Sequence, residues 1–161
     1  MQTVTPCLWL DTQPEEAARL YVSIFKNSEL GTITRYGEAG ATGSGIPKGS
    51  VMTVTFELDG QEFVALSGSP LFKFTEAVSF MVKCETQAEI DEMWSKLSEG
   101  GEGGPCGWLK DKYGLSWQIV VPAWDDMLRD QDSRKSQRVM ASILRMAKPD
   151  IEQINRAYTG Q

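Results

Sequence analysis

Residues 4–15 read VTPCLWLDTQPE, and residues 77–89 read AVSFMVKCETQAE. Each is an apolar run of strand length followed by nearly the same helix start, Thr12-Gln13-Pro14-Glu15 against Thr86-Gln87-Ala88-Glu89. In both, the threonine suits the cap and the glutamate three residues on completes a capping box, while Pro14 suits a first turn. Behind the first start, Ala17, Leu20, Tyr21, Ile24 and Phe25 recur at helical spacing, which predicts a helix over 14–26. Behind the second, Ile90, Met93, Trp94 and Leu97 form the stripe expected to be buried.

The segments that follow also match. Residues 31–37 and 51–58 read as strands, and Asp59-Gly60 is a two-residue hairpin signal joining 51–58 to 61–66. Between the first two strands, residues 37–50 carry five glycines and read as a mobile loop. A phosphate cradle is not expected there, because the Gly-x4-Gly-Lys spacing is absent and a strand follows rather than a helix. In the second half, residues 100–104 form a Gly-rich turn, and 106–110 and 115–121 read as a hairpin around Asp111-Lys112-Tyr113-Gly114.

The order strand–helix–strand–strand–strand thus occurs twice, the second time with a weak second strand. Internal duplication is the economical explanation. The expectation is an α+β fold of two such modules, about 1–67 and 76–122, within a single domain of 161 residues. Each module buries its helix against one sheet face, and setting them side by side would curve the sheet around a shared cleft. A helical tail follows over about 132–159. Asp132 or Ser133 caps its first helix, which carries Val139, Met140, Ile143 and Leu144, and Pro149 breaks it before a stripe of Ile151, Ile154 and Tyr158. Such a tail closes the cleft, packs on another subunit or lies on its own sheet edge.

Composition narrows the chemistry. Sixteen Lys and Arg against 22 Asp and Glu give a net charge of −6 without a basic run, so no nucleic-acid partner is expected. There is no apolar run near 20 residues and no basic, apolar leader, so a cytoplasmic protein with no membrane partner is expected. There is no histidine at all. That removes Ser–His and Cys–His nucleophile pairs and histidine-based zinc sites. Cys7, Cys84 and Cys106 form no CxxC pair and read as reduced thiols. Cys106, beside a Gly/Pro-rich turn, is the weak candidate for a catalytic thiol.

Two longer stretches, FKFTEAVSFMVKCETQAEID at 72–91 and CGWLKDKYGLSWQ at 106–118, closely resemble the PhnB-like family. That family carries the domain label 3-demethylubiquinone 3-methyltransferase. It belongs to the vicinal oxygen chelate superfamily with the glyoxalase/bleomycin-resistance fold. The opening strand and helix and the tail KSQRVMASILRM fit as well. The resemblance implies paired βαβββ modules with an appended C-terminal helix, and a homodimer.

It also implies where metal ligands stand in metal-using relatives, namely in the first and last strands of each module. Carried over, these places fall at about Pro6, Ala65, Ser79 and Gln118, with a register uncertain by one. Such a set offers at most two weak neutral donors, so neither a metal nor another cofactor is expected. The methyltransferase label implies S-adenosylmethionine, but no glycine-rich turn follows the first strand.

The expected site is therefore a small-molecule cleft lined by Phe72, Phe74, Ser79, Met81, Trp108 and Gln118. Trp108 falls where the superfamily places an aromatic contact to substrate. Strict alternation from a four-residue turn would set it opposite Trp117 on the helix side, so a bulge is needed. Trp9, Trp94 and Trp117 are expected between helices and sheet. The alternative function is a metal-independent enzyme with Cys106, Lys110 or Tyr113 as the reactive group.

Overall fold

The structure is a computed structural model that describes residues 4–161. The chain divides into two compact units, the first ending at Lys73 and the second running over Phe74–Gln161.

The first unit contains β1 (Cys7–Leu10), α1 (Pro14–Ile24), β2 (Glu29–Arg35), α2 (Glu38–Ser44), β3 (Val51–Leu58) and β4 (Gln61–Ser67). Its sheet order is β1-β4-β3-β2, with β1 parallel to β4 and the other pairs antiparallel. Alternation along β3 and β4 sends Val54, Phe56, Leu58, Phe63 and Ala65 toward α1, and all five are buried. Tyr21 of α1 stacks on Phe56 at 6.0 Å, and Phe56 on Phe63 at 5.3 Å. Asp59 and Gly60, both at positive φ, make the tight turn that Asp-Gly predicts.

Three expectations change in this unit. The 37–50 segment is not a bare loop, because it contains α2, closed by Gly45 in the left-handed region with its N–H bonded to Ala41 O. No residue of α2 is buried, so it lacks the apolar period by which a helix is read. The capping box at Thr12 does not form either. Proline prefers the first helical position, so the helix starts at Pro14 and the cap falls on Gln13, one residue late. Glu15 pairs instead with Arg19 at 2.8 Å. Finally, Leu8 and Leu10 are the β1 side chains in the core, and Trp9 is on the opposite face.

The second unit contains β5 (Ser79–Lys83), α3 (Gln87–Ser98), β6 (Glu102–Gly103), β7 (Trp108–Lys110), β8 (Ser116–Val120), α4 (Ala123–Leu128), α5 (Ser133–Ile143) and α6 (Ile151–Thr159). Its order, β5-β8-β7-β6, repeats the first sheet's topology position for position, with β5 parallel to β8. Here the capping box forms as read: Glu89 N–H donates to Thr86 Oγ1, and Glu89 Oε2 accepts from Thr86 N–H. Ile90 and Leu97 of α3 are buried, as are Leu109, Trp117 and Ile119 of the sheet. Met93 and Trp94 are only half-buried.

The tail packs on its own unit. Cys106 and Gly107 donate their N–H groups to Met146 and Ala147 carbonyls, both at 2.8 Å. Gln87 clamps the junction before α6, donating to Pro149 O and accepting from Ile151 N–H. Gly107 is required by close approach, since a Cβ there would meet Ile119 O at 2.4 Å.

Candidate functional site

Alternation on β8 sends Trp117 and Ile119 toward α3 and leaves Ser116 and Gln118 on the open face. Antiparallel pairing sets Trp108 opposite Gln118, Leu109 opposite Trp117, and Lys110 opposite Ser116. On the other side, Ser79 pairs with Ser116 and Met81 with Gln118. Trp108 therefore reaches the open face, and the bulge that the sequence requires sits in the turn at Gly114, at φ 83° with its N–H on Asp111 O at 2.9 Å. The turn has five residues, 111–115, closed by Asp111 N–H on Leu115 O at 3.0 Å, and the extra residue shifts the register by one.

Asp111 holds that turn in place. It is buried, and its carboxylate accepts from the N–H groups of Tyr113 and Leu115 and from Trp117 Nε1, at 2.9–3.0 Å. A buried carboxylate with several charge-assisted hydrogen bonds is a rigid anchor. It fixes the position of Trp108 through the register of the hairpin.

Two rows of side chains cross the open face. One runs Glu102, Lys110, Ser116, Ser79, and the other Trp108, Gln118, Met81. Gln118 Nε2 donates to Ser79 Oγ at 2.8 Å. A pocket of about 360 Å3 lies at the β7 side, and its lining includes Glu76, Glu102, Pro105, Trp108, Lys110 and Ser116. Ser116 Oγ is the buried side-chain polar atom that finds no hydrogen-bond partner among the described residues. An unpaired buried hydroxyl costs stability, so its position on a pocket wall is informative.

Lys110 is an ion-pair partner rather than a nucleophile. Its ammonium bonds Glu76, with Glu102 at 3.5 Å. The hydrogen bond to Glu76 raises its pKa and keeps it protonated. The same bond, with one from the Glu76 backbone, lowers the Glu76 carboxyl below its ordinary value.

Ser79, Met81, Trp108 and Gln118 thus share one face. Phe72 belongs to the first unit, where its ring meets Trp9 edge-on at 5.0 Å. Trp9 also donates Nε1 to Ser69 O at 2.9 Å, and Gly68 leaves the space the indole occupies. These contacts make Phe72 and Trp9 a staple on the connector. Phe74 is half-buried at the start of the second unit and does not line the pocket. Cys106 is a half-buried free thiol at positive φ, and Cys84 is buried, its pKa pushed up to about 11 mainly by desolvation. Sequence reasoning missed Ser116, because a serine inside a strand carries no signal until its partners are counted.

Residues 2–120 match the family model described as 3-demethylubiquinone-9 3-methyltransferase. The chain belongs to this family. Within it, a solved 3-demethylubiquinone-9 3-methyltransferase-like PhnB protein from Bacillus cereus is 38% identical. The match covers 74% of this chain and 99% of that one, with a TM-score of 0.65. Protein PA1353 from Pseudomonas aeruginosa is 18% identical over 75% and 98% of the two chains, with a TM-score of 0.58. The fosfomycin resistance protein FosX from Listeria monocytogenes is 16% identical over 75% and 93%, with a TM-score of 0.50. These last two share the fold, which is that of the vicinal oxygen chelate superfamily. No curated protein matches. The family match ends at Val120, so α4, α5 and α6 lie beyond it.

The residues present fit neither group that these likenesses bring to mind. Of the four superfamily metal places, Ala65 is fully buried on the α1 side, so the expected register there is off by one. The neighbouring open-face position holds Val64, paired with Cys7. Ser79 and Gln118 bond each other. No group of three or more Cys, Asp or Glu side chains is placed to hold a metal among the described residues. For S-adenosylmethionine, the sheets are four-stranded and mixed, and β1 leads through Asp11-Thr12-Gln13 directly into α1 with no glycine turn.

Proposed function

We propose that this family member binds a small, partly planar molecule over Trp108 on the open face of the second sheet, without a metal. The observation that carries the reading is Ser116 Oγ, buried and unpaired on the wall of the pocket that Trp108 lines. Once the side chains covering it move aside, a ligand hydroxyl or carbonyl would supply the missing hydrogen bond, and the indole would supply apolar area beside it. Gln118, Ser79 and Met81 extend the same face.

The enzyme alternative needs a reactive group. Lys110 is held protonated by its carboxylates, which supports binding over catalysis. Cys106 remains the candidate thiol of that second reading, one residue from Pro105 of the pocket lining.

A homodimer is part of the proposal. Val78 and Met81 are 65% and 61% exposed, Val78 beside β5 and Met81 on it, and apolar side chains at this sheet edge favour pairing with a second copy. The three unbridged thiols support a reducing, cytoplasmic setting. A thermal-shift screen of metabolites and quinone-like compounds, run in chelator, tests the binding reading. Hits that raise the melting temperature of wild type but not of Trp108→Ala support it, and a screen without such hits refutes it.

A further inference from the structure

Charge is distributed unevenly along the chain. Residues 133–161 carry six Lys and Arg against two Asp and Glu, a net +4, whereas 1–132 carry ten against twenty, a net −10. Part of that positive excess gathers in a groove of about 480 Å3 between α5 and α6. Its lining includes Arg138, Ser142, Arg145, Gln153 and Arg156, and no acidic side chain.

The three guanidiniums are held differently. Arg138 donates Nε to Ala157 O at 2.7 Å and Nη2 to Tyr158 O at 2.9 Å, so the end of α6 fixes its plane. Arg156 pairs with Glu152 one turn earlier, and both side chains are largely exposed. The Arg145 side chain has no hydrogen-bond or ion-pair partner among the described residues and lies open to solvent. Arg138 and Arg145 thus bring two like charges without a carboxylate partner to one groove, which is unfavourable unless an anion occupies it.

We propose that this groove binds a phosphate monoester. Guanidinium forks match phosphate oxygens two at a time, and one arm here is already oriented. Two arginines without a carboxylate partner suit a dianion better than a monocarboxylate. Ser142 and Gln153 offer neutral donors, and the volume admits a small organic group beside the phosphate. The site lies outside the family-matched residues and is independent of the pocket at Trp108.

The test is a calorimetric titration of the full chain with phenyl phosphate, inorganic phosphate and acetate at fixed ionic strength. The expected result is saturable binding of phenyl phosphate at one per chain, weaker inorganic phosphate and no saturation with acetate. Arg138 also caps α6, so the decisive variants are Arg145→Gln and Arg156→Gln, each expected to weaken binding about tenfold or more. Arg134→Gln removes the same charge outside the groove lining and should leave affinity within about twofold. Vesicles containing phosphatidic acid separate the sources of the phosphate. Co-sedimentation lost in Arg145→Gln assigns a lipid headgroup, and its absence beside phenyl phosphate binding assigns a soluble ester. No saturable phosphate binding in either form, or an equal loss in Arg134→Gln, overturns the proposal.

Discussion

Gln118 Nε2 donates to Ser79 Oγ at 2.8 Å and so ties β8 to β5 across the open face of the second sheet. The family resemblance implies ligand places of metal-using relatives at about these two positions, and here the two side chains satisfy each other. The bond is half-buried, and water can replace a lost partner at either end. Gln118→Leu is therefore expected to cost only about 1 kcal/mol in a denaturant melt, with an unchanged slope. A loss above about 3 kcal/mol would make Gln118 a structural residue rather than part of a binding face.

Asp111 is the opposite case. Its buried carboxylate accepts from three donors, Tyr113 N–H, Leu115 N–H and Trp117 Nε1. Asp111→Ala leaves these unpaired and frees the five-residue turn that sets Trp108 opposite Gln118. The expected cost is roughly 3–5 kcal/mol. Asp111→Asn retains an acceptor oxygen and should cost less. Equal stability of Asp111→Ala and wild type would show that the turn does not need this anchor.

How much of this was legible beforehand varies by physical cause. The capping box at Thr86 and the repeated sheet topology follow from local chemistry that the letters carry directly. The shift of the α1 cap from Thr12 to Gln13 comes from one competing preference, that of Pro14 for the first helical position. The helix at 38–44 buries nothing, so no periodicity announces it. The register of Trp108 asks for a bulge without saying where, and the structure puts it in the turn at Gly114, held by the Asp111 carboxylate on Tyr113 and Leu115 N–H. Ser116 became visible only once its pairs were counted in space.

The Glu76–Lys110 pair predicts a pH response with a definite sign. The Glu76 pKa is lowered from 4.5, first by the hydrogen bond from Lys110, so its contribution is present above about pH 4.5 and is lost as pH falls through the lowered folded value. The Lys110 pKa is raised from 10.5, first by the bond to Glu76, so its contribution is present below 10.5 and is lost as pH rises through the raised folded value. Between those limits the pair leaves stability flat. In a carboxyl NMR titration, Lys110→Gln should move the Glu76 midpoint upward. An unmoved midpoint would show that Lys110 does not hold it.

Thiol chemistry should separate the three cysteines. Cys7 is exposed, Cys106 half-buried, and Cys84 buried with its pKa near 11. At pH 8, a disulfide reagent followed by peptide mass mapping should label Cys7 first and Cys106 more slowly. Cys84 should be labelled only on unfolding, since the thiolate is the reactive form. Early labelling of Cys84 would contradict its burial.

The most direct measurement compares wild type with Ser116→Ala. The strongest planar hit from the screen is titrated calorimetrically into each protein in the presence of chelator. Because Ser116 Oγ is buried without a partner, its removal is expected to leave stability unchanged or raise it by about 1 kcal/mol. The account predicts one ligand per wild-type chain despite the chelator, and binding about tenfold weaker in a variant that melts no lower. Equal affinity in the two proteins, or binding that disappears with the chelator, would contradict a metal-independent site built on this hydroxyl.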